Sequence, residues 1–531
     1  MAPNAQLEPR DSGRETSGDH ASTVDETSRL LPPAAQDGGA AAVPAPSRAF
    51  QLRVQLMCAV FLFIIDVSVF IIDPPTQQIL EDIICRERYG GDPSVLLAKG
   101  PGSPCKSPDV QSKLAMFTSI QALFGTLCPL LVQVPYGLLA DHYGRRLVLF
   151  LSIAGLTLMV TWNIFIRMYF SLNKLLHTLL TTLSVWFSDF FSIWLMIPGY
   201  VLLLIGGGAT MVAAMVWTIV TDVTREEERS SVFYQLVALT LIISASSNPL
   251  TAWLMNYSPW LPTFLGTGFL YVACFFVLLM PETRLVGLAL KDVPDSPDGE
   301  VSTDEDSDPG VKADSMLSAA WHKFTKYLAE LWQFVIADKK IMALCVCEAV
   351  STPIATSMVL FALQYIAAPL GSWSKALTLL TISKVTSVIL LLGILPLSTH
   401  VILKYSSIDR MKLDIYLART SAVLLTLAMF AMGFADTEWE LICALIIYGL
   451  SQGFSAQMRV LITAKVEPHM VATVNTTMST LQSVMVIITT PLIGWLLGRG
   501  MEIGGVWTGL AYIVLAVMGC LVTIILCLLR L

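Results

Sequence analysis

Charge is what this chain has least of. Lys, Arg, Asp and Glu make up 14% of its 531 residues, where a soluble globular domain carries about 25%. A soluble domain is therefore excluded. The formal net charge is −7, so no basic surface offers itself to DNA or RNA, and a nucleic-acid reader is excluded as well. A phosphate loop is also missing: no lysine and no preceding strand accompany Gly206, Gly207 and Gly208, which argues against nucleotide binding and any ATP-driven process. GLSQG (449–453) has the spacing of a hydrolase nucleophile elbow. It falls in an apolar helical run rather than at a strand-to-helix turn, and close helix packing of small residues explains it better. Enzymatic activity, a cofactor and a bound metal are not expected.

What the chain has instead is length of apolar sequence. Hydrophobic residues make up 55% of it, and the mean hydropathy is +0.67. Apolar runs fall near 53–73, 114–136, 147–169, 194–220, 232–256 and 261–280, then near 341–369, 376–399, 413–434, 440–463, 471–497 and 506–529. Each is long enough to cross a bilayer as a helix, which satisfies its backbone groups internally. The expectation is an all-α membrane protein of twelve spans in two six-helix halves, 50–284 and 338–531. Residues 1–49 read as a disordered cytoplasmic tail with no signal peptide. Residues 285–337 read as an acidic cytoplasmic linker that ends in an interfacial helix, with Leu317, Trp321, Phe324, Leu328, Leu331 and Val335 on one stripe.

Most of the ten cysteines lie in apolar runs and read as small hydrophobes. Cys85 and Cys105 fall instead in the polar stretch after the first run. In an oxidising compartment they form a disulfide, and otherwise they are two free thiols. In the tail, Glu26, Leu30 and Leu31 (ETSRLL) have the acidic-dileucine form of a vacuolar sorting signal, or belong to a plain solvated linker. Basic residues after the second run (Arg145, Arg146), the fourth (Arg225, Arg229), the eighth (Lys404, Arg410, Lys412) and the tenth (Lys465) put those connections on the cytoplasmic side. Arg86, Arg88, Lys99 and Lys106 in the first outer loop break that rule.

One motif carries a family resemblance. GLLADHYGRR (137–146) resembles the major facilitator superfamily signature G-x-L-a-D-r-x-G-R-[RK], and it stands after the second span. Gly137, Leu139, Asp141, Gly144, Arg145 and Arg146 match it. Gly137 is read as allowing close helix approach, Gly144 a tight turn, and Asp141 an ion pair, with the arginines at headgroup level. The resemblance implies a conformational latch here, and two halves that rock around a central site. Residues 205–233, PETR (281–284) and GGVWTGLAY (504–512) are similar to fungal efflux-type members. The fifth span, ISASSNPLTAW, departs from the glycine-flanked pattern of drug:proton antiporters.

Charge inside a bilayer costs several kcal/mol and marks candidate function. Asp66 and Glu348 are the proton-coupling candidates, each weighed against a structural role bonded to a neighbouring helix. Asp73, beside Pro74 and Pro75, is expected at the outer interface. Gln121, Gln235, Asn248, Lys384, Gln452, Trp217 and Tyr365 are candidates for a substrate cavity, although amides also join membrane helices and aromatics also anchor interfaces. Together these readings imply a monomer in the lipid bilayer, at the plasma membrane or the vacuolar membrane, that exports a small-molecule substrate by alternating access at the expense of protons. Two alternatives remain open: a proton-coupled importer of a vitamin-like anion, and a non-transporting nutrient receptor on the same fold.

Overall fold

Twelve helices long and apolar enough to span a membrane run through the computed structural model, which describes residues 48–89, 100, 102–177, 193–224, 226–283, 339–405, 410–463 and 471–529. They are α1 (Arg48–Tyr89), α2 (Pro108–Gly137), α3 (Arg145–Phe170), α4 (Ile193–Val223), α5 (Gln235–Met255) and α6 (Trp260–Val277) in one half. The other half holds α7 (Lys340–Leu370), α8 (Trp373–Ile402), α9 (Met411–Gly433), α10 (Glu438–Ile462), α11 (Met478–Ile503) and α12 (Gly505–Leu528). The interfacial stripe of 317–335 and the dileucine of Leu30 and Leu31 lie outside the described residues.

The packing repeats with a shift of six helices. α1 lies on α5 and α6, as α7 lies on α11 and α12. α3 lies on α4 and α6, as α9 lies on α10 and α12, and α2 meets α4 as α8 meets α10. Between the halves α2 packs on α11 and α5 on α8, and these two contacts exchange under the same shift. This is the arrangement expected of an internally repeated transporter. Missing side chains make the close approaches. A Cβ on Gly498 would stand 2.7 Å from Ser112 Oγ, and one on Gly449 would stand 2.6 Å from Thr386 Cβ. Gly137 is different. A Cβ there would meet nothing within 4 Å, so the close approach read from the sequence is not its role in this arrangement.

Several helices depart from the simple spans of the sequence reading. α1 continues as one helix through Pro74 and Pro75 for 42 residues, about 63 Å at 1.5 Å per residue. Proline inside a membrane helix is tolerated when neighbours cover the freed carbonyls. α4 starts as a 3₁₀ helix over Ile193–Leu204, passes through positive φ at Gly206, Gly207 and Gly208, and resumes as an α-helix to Val223. α10 stops at Ser451 and restarts at Phe454, so GLSQG spans a break rather than lying within a helix.

Candidate functional site

The two ends of the bundle are built differently, and a cavity lies between them. At one end Cys85 on α1 is joined by a disulfide to Cys105, in the short 3₁₀ turn Pro104–Lys106 ahead of α2. One turn earlier on α1, the Glu81 carboxylate accepts hydrogen bonds from Lys106 Nζ (2.8 and 2.9 Å), Trp373 Nε1 (2.5 Å) and Gln111 Nε2. Lys106 also stands 4.5 Å from the Trp373 ring centroid. Both charged side chains are nearly inaccessible, at 7% and 4%. Burial pushes the Lys106 ammonium below its usual range, against the pull of Glu81. Gln364 Nε2 on α7 donates to the Gln111 carbonyl at 2.7 Å, and Ser374 Oγ on α8 donates to the Ala252 carbonyl of α5 at 2.8 Å. These bonds join the halves. Two of the four basic residues that break the positive-inside pattern are paired at this end: Lys106 is held by Glu81, and Arg88 pairs with Asp109 at 3.2 Å.

At the other end, the latch motif is bonded within the first half. Gly144 takes φ 109° as C-cap of the helix that begins at Pro108, a conformation glycine adopts without strain. The space where its Cβ would lie is filled by the Glu282 carboxylate. That carboxylate accepts the backbone N–H groups of Arg145 (2.9 Å) and Arg146 (3.2 Å), and so caps the N-terminus of α3, where a negative charge is favoured. Arg145 Nε reaches Asp222 on α4 at 3.5 Å, and Arg146 donates to the Leu278 carbonyl. Glu282 belongs to PETR, so two stretches read separately in the sequence form one site. The side chain of Asp141 lies outside the described residues. In the second half Arg419 caps α12 instead, donating to the carbonyls of Leu526 (3.1 Å) and Leu529 (2.9 Å).

Between these ends lies a cavity of about 470 Å³, walled by α1 to α4 with Thr356, Val359 and Leu360 of α7 and Val486 of α11. Its size suits a small organic molecule. The wall is mostly apolar; its polar members include Asp73, Gln77, Gln121, Asn163, Arg167, Tyr200 and several threonines. Asp73 is the correction here. It faces the cavity rather than the outer interface, because α1 does not end at the prolines. Arg167 is 7% exposed, and its Nε has no hydrogen-bond partner. Sequence reasoning missed Arg167, although a cation four residues after Asn163 inside an apolar run was a signal that both share a helix face.

Of the expected cavity residues, Gln121 lines this cavity. Tyr365 lines a second one, of about 530 Å³, at the disulfide end, and its hydroxyl donates to the Met432 carbonyl at 3.0 Å. Trp217 packs edge-on against Phe233, two residues ahead of α5, with centroids 5.0 Å apart. Gln235 is exposed and Asn248 buried on α5, Lys384 is half-buried on α8, and Gln452 sits at the α10 break beside Tyr448. Neither coupling candidate lines the cavity. Asp66 is half-buried, accepts a hydrogen bond from Thr240 of α5, and keeps Oδ2 buried without a partner. Glu348 is buried. It accepts from Ser455 (2.6 Å) on α10 and Gln482 (3.0 Å) on α11, near Arg459.

Comparison with known proteins agrees with this architecture. A family model described as Major Facilitator Superfamily matches residues 56–490. The chain is 26% identical over 474 residues to "MFS efflux pump atnC" of Emericella nidulans, covering 87% of this chain and 85% of that one. It is 25% identical over 464 residues to "Efflux pump ustT" of Aspergillus flavus, covering 86% and 84%. Among solved structures it is similar in fold to a D-xylose-proton symporter, with TM-score 0.57 and 13% identity over 90% of this chain and 97% of that one. A similar likeness holds to the nucleoside transporter NupG, with TM-score 0.54 and 11% identity over 89% and 98%.

Proposed function

Since the chain belongs to the Major Facilitator Superfamily, and is accordingly a multi-pass membrane transporter, we propose that it exports a small organic solute by proton-coupled alternating access. The observation that carries this reading is the 470 Å³ cavity between the halves, with cross-half bonds gathered at one end and the latch bonds kept within one half at the other. That is the form expected of a carrier with one gate shut. The efflux pumps of Emericella and Aspergillus, alike over most of their length, support export. The positive-inside rule supports a cytoplasmic latch end, and with it a cavity that loads from the cytoplasm. The carrier acts as a monomer in the plasma membrane.

Asp66 is the coupling carboxylate in this reading: it and Glu348 each keep one oxygen buried without a partner, but Glu348 Oε1 is held by both α10 and α11, whereas Asp66 is bonded only to Thr240 among the described residues. Flux of a labelled solute panel in cells with and without the protein tests the direction, and net inward movement would refute export. Asp66→Asn is expected to leave downhill flux intact and abolish its dependence on a pH gradient. Unchanged dependence would remove Asp66 from the mechanism.

A further inference from the structure

The polar lining of the cavity is unbalanced in a way that specifies a ligand. Arg167 is one of the least accessible charged groups among the described residues, 7% exposed, on a mostly apolar wall that includes Leu80, Leu156, Met159 and Leu203. Such a guanidinium is expected to be paired, since an unpaired buried charge costs several kcal/mol. Among the described residues no acceptor lies within hydrogen-bond reach of it. Asp73 and Tyr200 act on it only through their electrostatic fields. Four residues earlier on the same face of α3, Asn163 Oδ1 is likewise buried without a donor. Gln121 reaches only the Met196 sulfur, at 4.0 Å. Among the described residues, therefore, a guanidinium with its Nε buried and unpartnered stands beside a cavity of molecular size, and nothing described there accepts its N–H groups.

From this geometry, and resting on the transporter reading above, we infer that the cargo carries a carboxylate and that Arg167 binds it. A planar fork of N–H donors in an apolar enclosure matches a carboxylate two bonds at a time, and the low surrounding dielectric strengthens the pair. The apolar remainder of the wall takes the hydrocarbon body of the acid. Asp73 is open to the same cavity and carries the same sign as the cargo. It opposes binding, and keeps Arg167 from being an indiscriminate trap for small anions. A cationic cargo reverses these roles: Asp73 then attracts it and Arg167 repels it. The two readings differ in sign, which makes them separable.

The test uses the purified full-length protein and two probes, 2-naphthoate and decanoate, each beside its amide, with binding read as ligand-dependent thermal stabilisation. The acids are expected to stabilise the wild-type protein and the amides not. Arg167→Gln should weaken binding of the acids about tenfold or more, Arg167→Lys should retain part of it, and Asp73→Asn should strengthen it severalfold. If Arg167→Gln fails to fold, Asp73→Asn and Arg167→Lys still decide the sign. Amides that bind as well as acids, acids that fail to stabilise the wild type, or an Asp73→Asn variant that loses binding would each overturn the inference. The transporter reading fails separately. Cells that export a solute unaffected by Arg167→Gln keep export and lose the carboxylate site, whereas acid binding with the expected signs but inward flux keeps the site and loses export.

Discussion

The two ends of the bundle hold themselves by different means. At the disulfide end, Glu81 gathers a lysine, a glutamine and a tryptophan from both halves into a nearly dry cluster. At the latch end, Glu282 caps α3 and fills the space that Gly144 leaves, and every one of these bonds stays in the first half. The carboxylates play opposite roles. One clamps the two repeats together, and the other stiffens a single repeat. A carrier that alternates needs both: a clamp that releases, and rigid halves for that release to move.

The comparison can be broken most forcefully at Lys106. Lys106→Met leaves Glu81 buried without its cation, a loss of about 3–5 kcal/mol borne by the clamped arrangement. Spin-label distances between positions 113 and 438 should lengthen, and an unchanged distribution would deny the cluster its clamping role. Replacing Cys85 and Cys105 by Ser should matter slightly less. The bond closes a loop with a sequence separation of 20, worth about 3 kcal/mol, and it holds Lys106 one residue from its anchor. Both thermal stability and the 113–438 distance should change. The smallest effect belongs to the other end. Glu282→Gln removes a charged cap worth about 1 kcal/mol, and should lower thermal stability without altering that distance. Opening of the disulfide end by this variant would erase the distinction between the ends.

The helices were legible in the sequence because bilayer physics demands long uncharged runs, and twelve were found where twelve stand. The motif around Gly144 was legible for a related reason: its glycine and arginines satisfy one local turn. Partnerships across distant segments were not. Nothing local links Glu282 to Gly144, or Glu81 to Trp373, because each pairing depends on how helices far apart in the chain are laid side by side. Asp73 was misplaced because proline normally ends a soluble helix, yet α1 passes through Pro74 and Pro75. Arg167 went unread because it lies near the end of an apolar run, where arginine usually reaches for the headgroups. Trp217 and Tyr365 were chosen as aromatics inside the membrane, and both turned out to spend their rings on neighbouring helices.

The left-handed step at Gly206 to Gly208 has a mechanical consequence. It divides α4 into an upper rod that presents Tyr200 and Leu203 to the cavity and a lower rod that touches the cavity only in its first turn, at Ala209 and Thr210, and carries Asp222 to Arg145 near its far end. A continuous helix would make the cavity wall and the latch a single lever, so that neither could tilt without the other. With a joint between them, the rod that holds Arg145 and the rod that presents Tyr200 are free to differ in tilt.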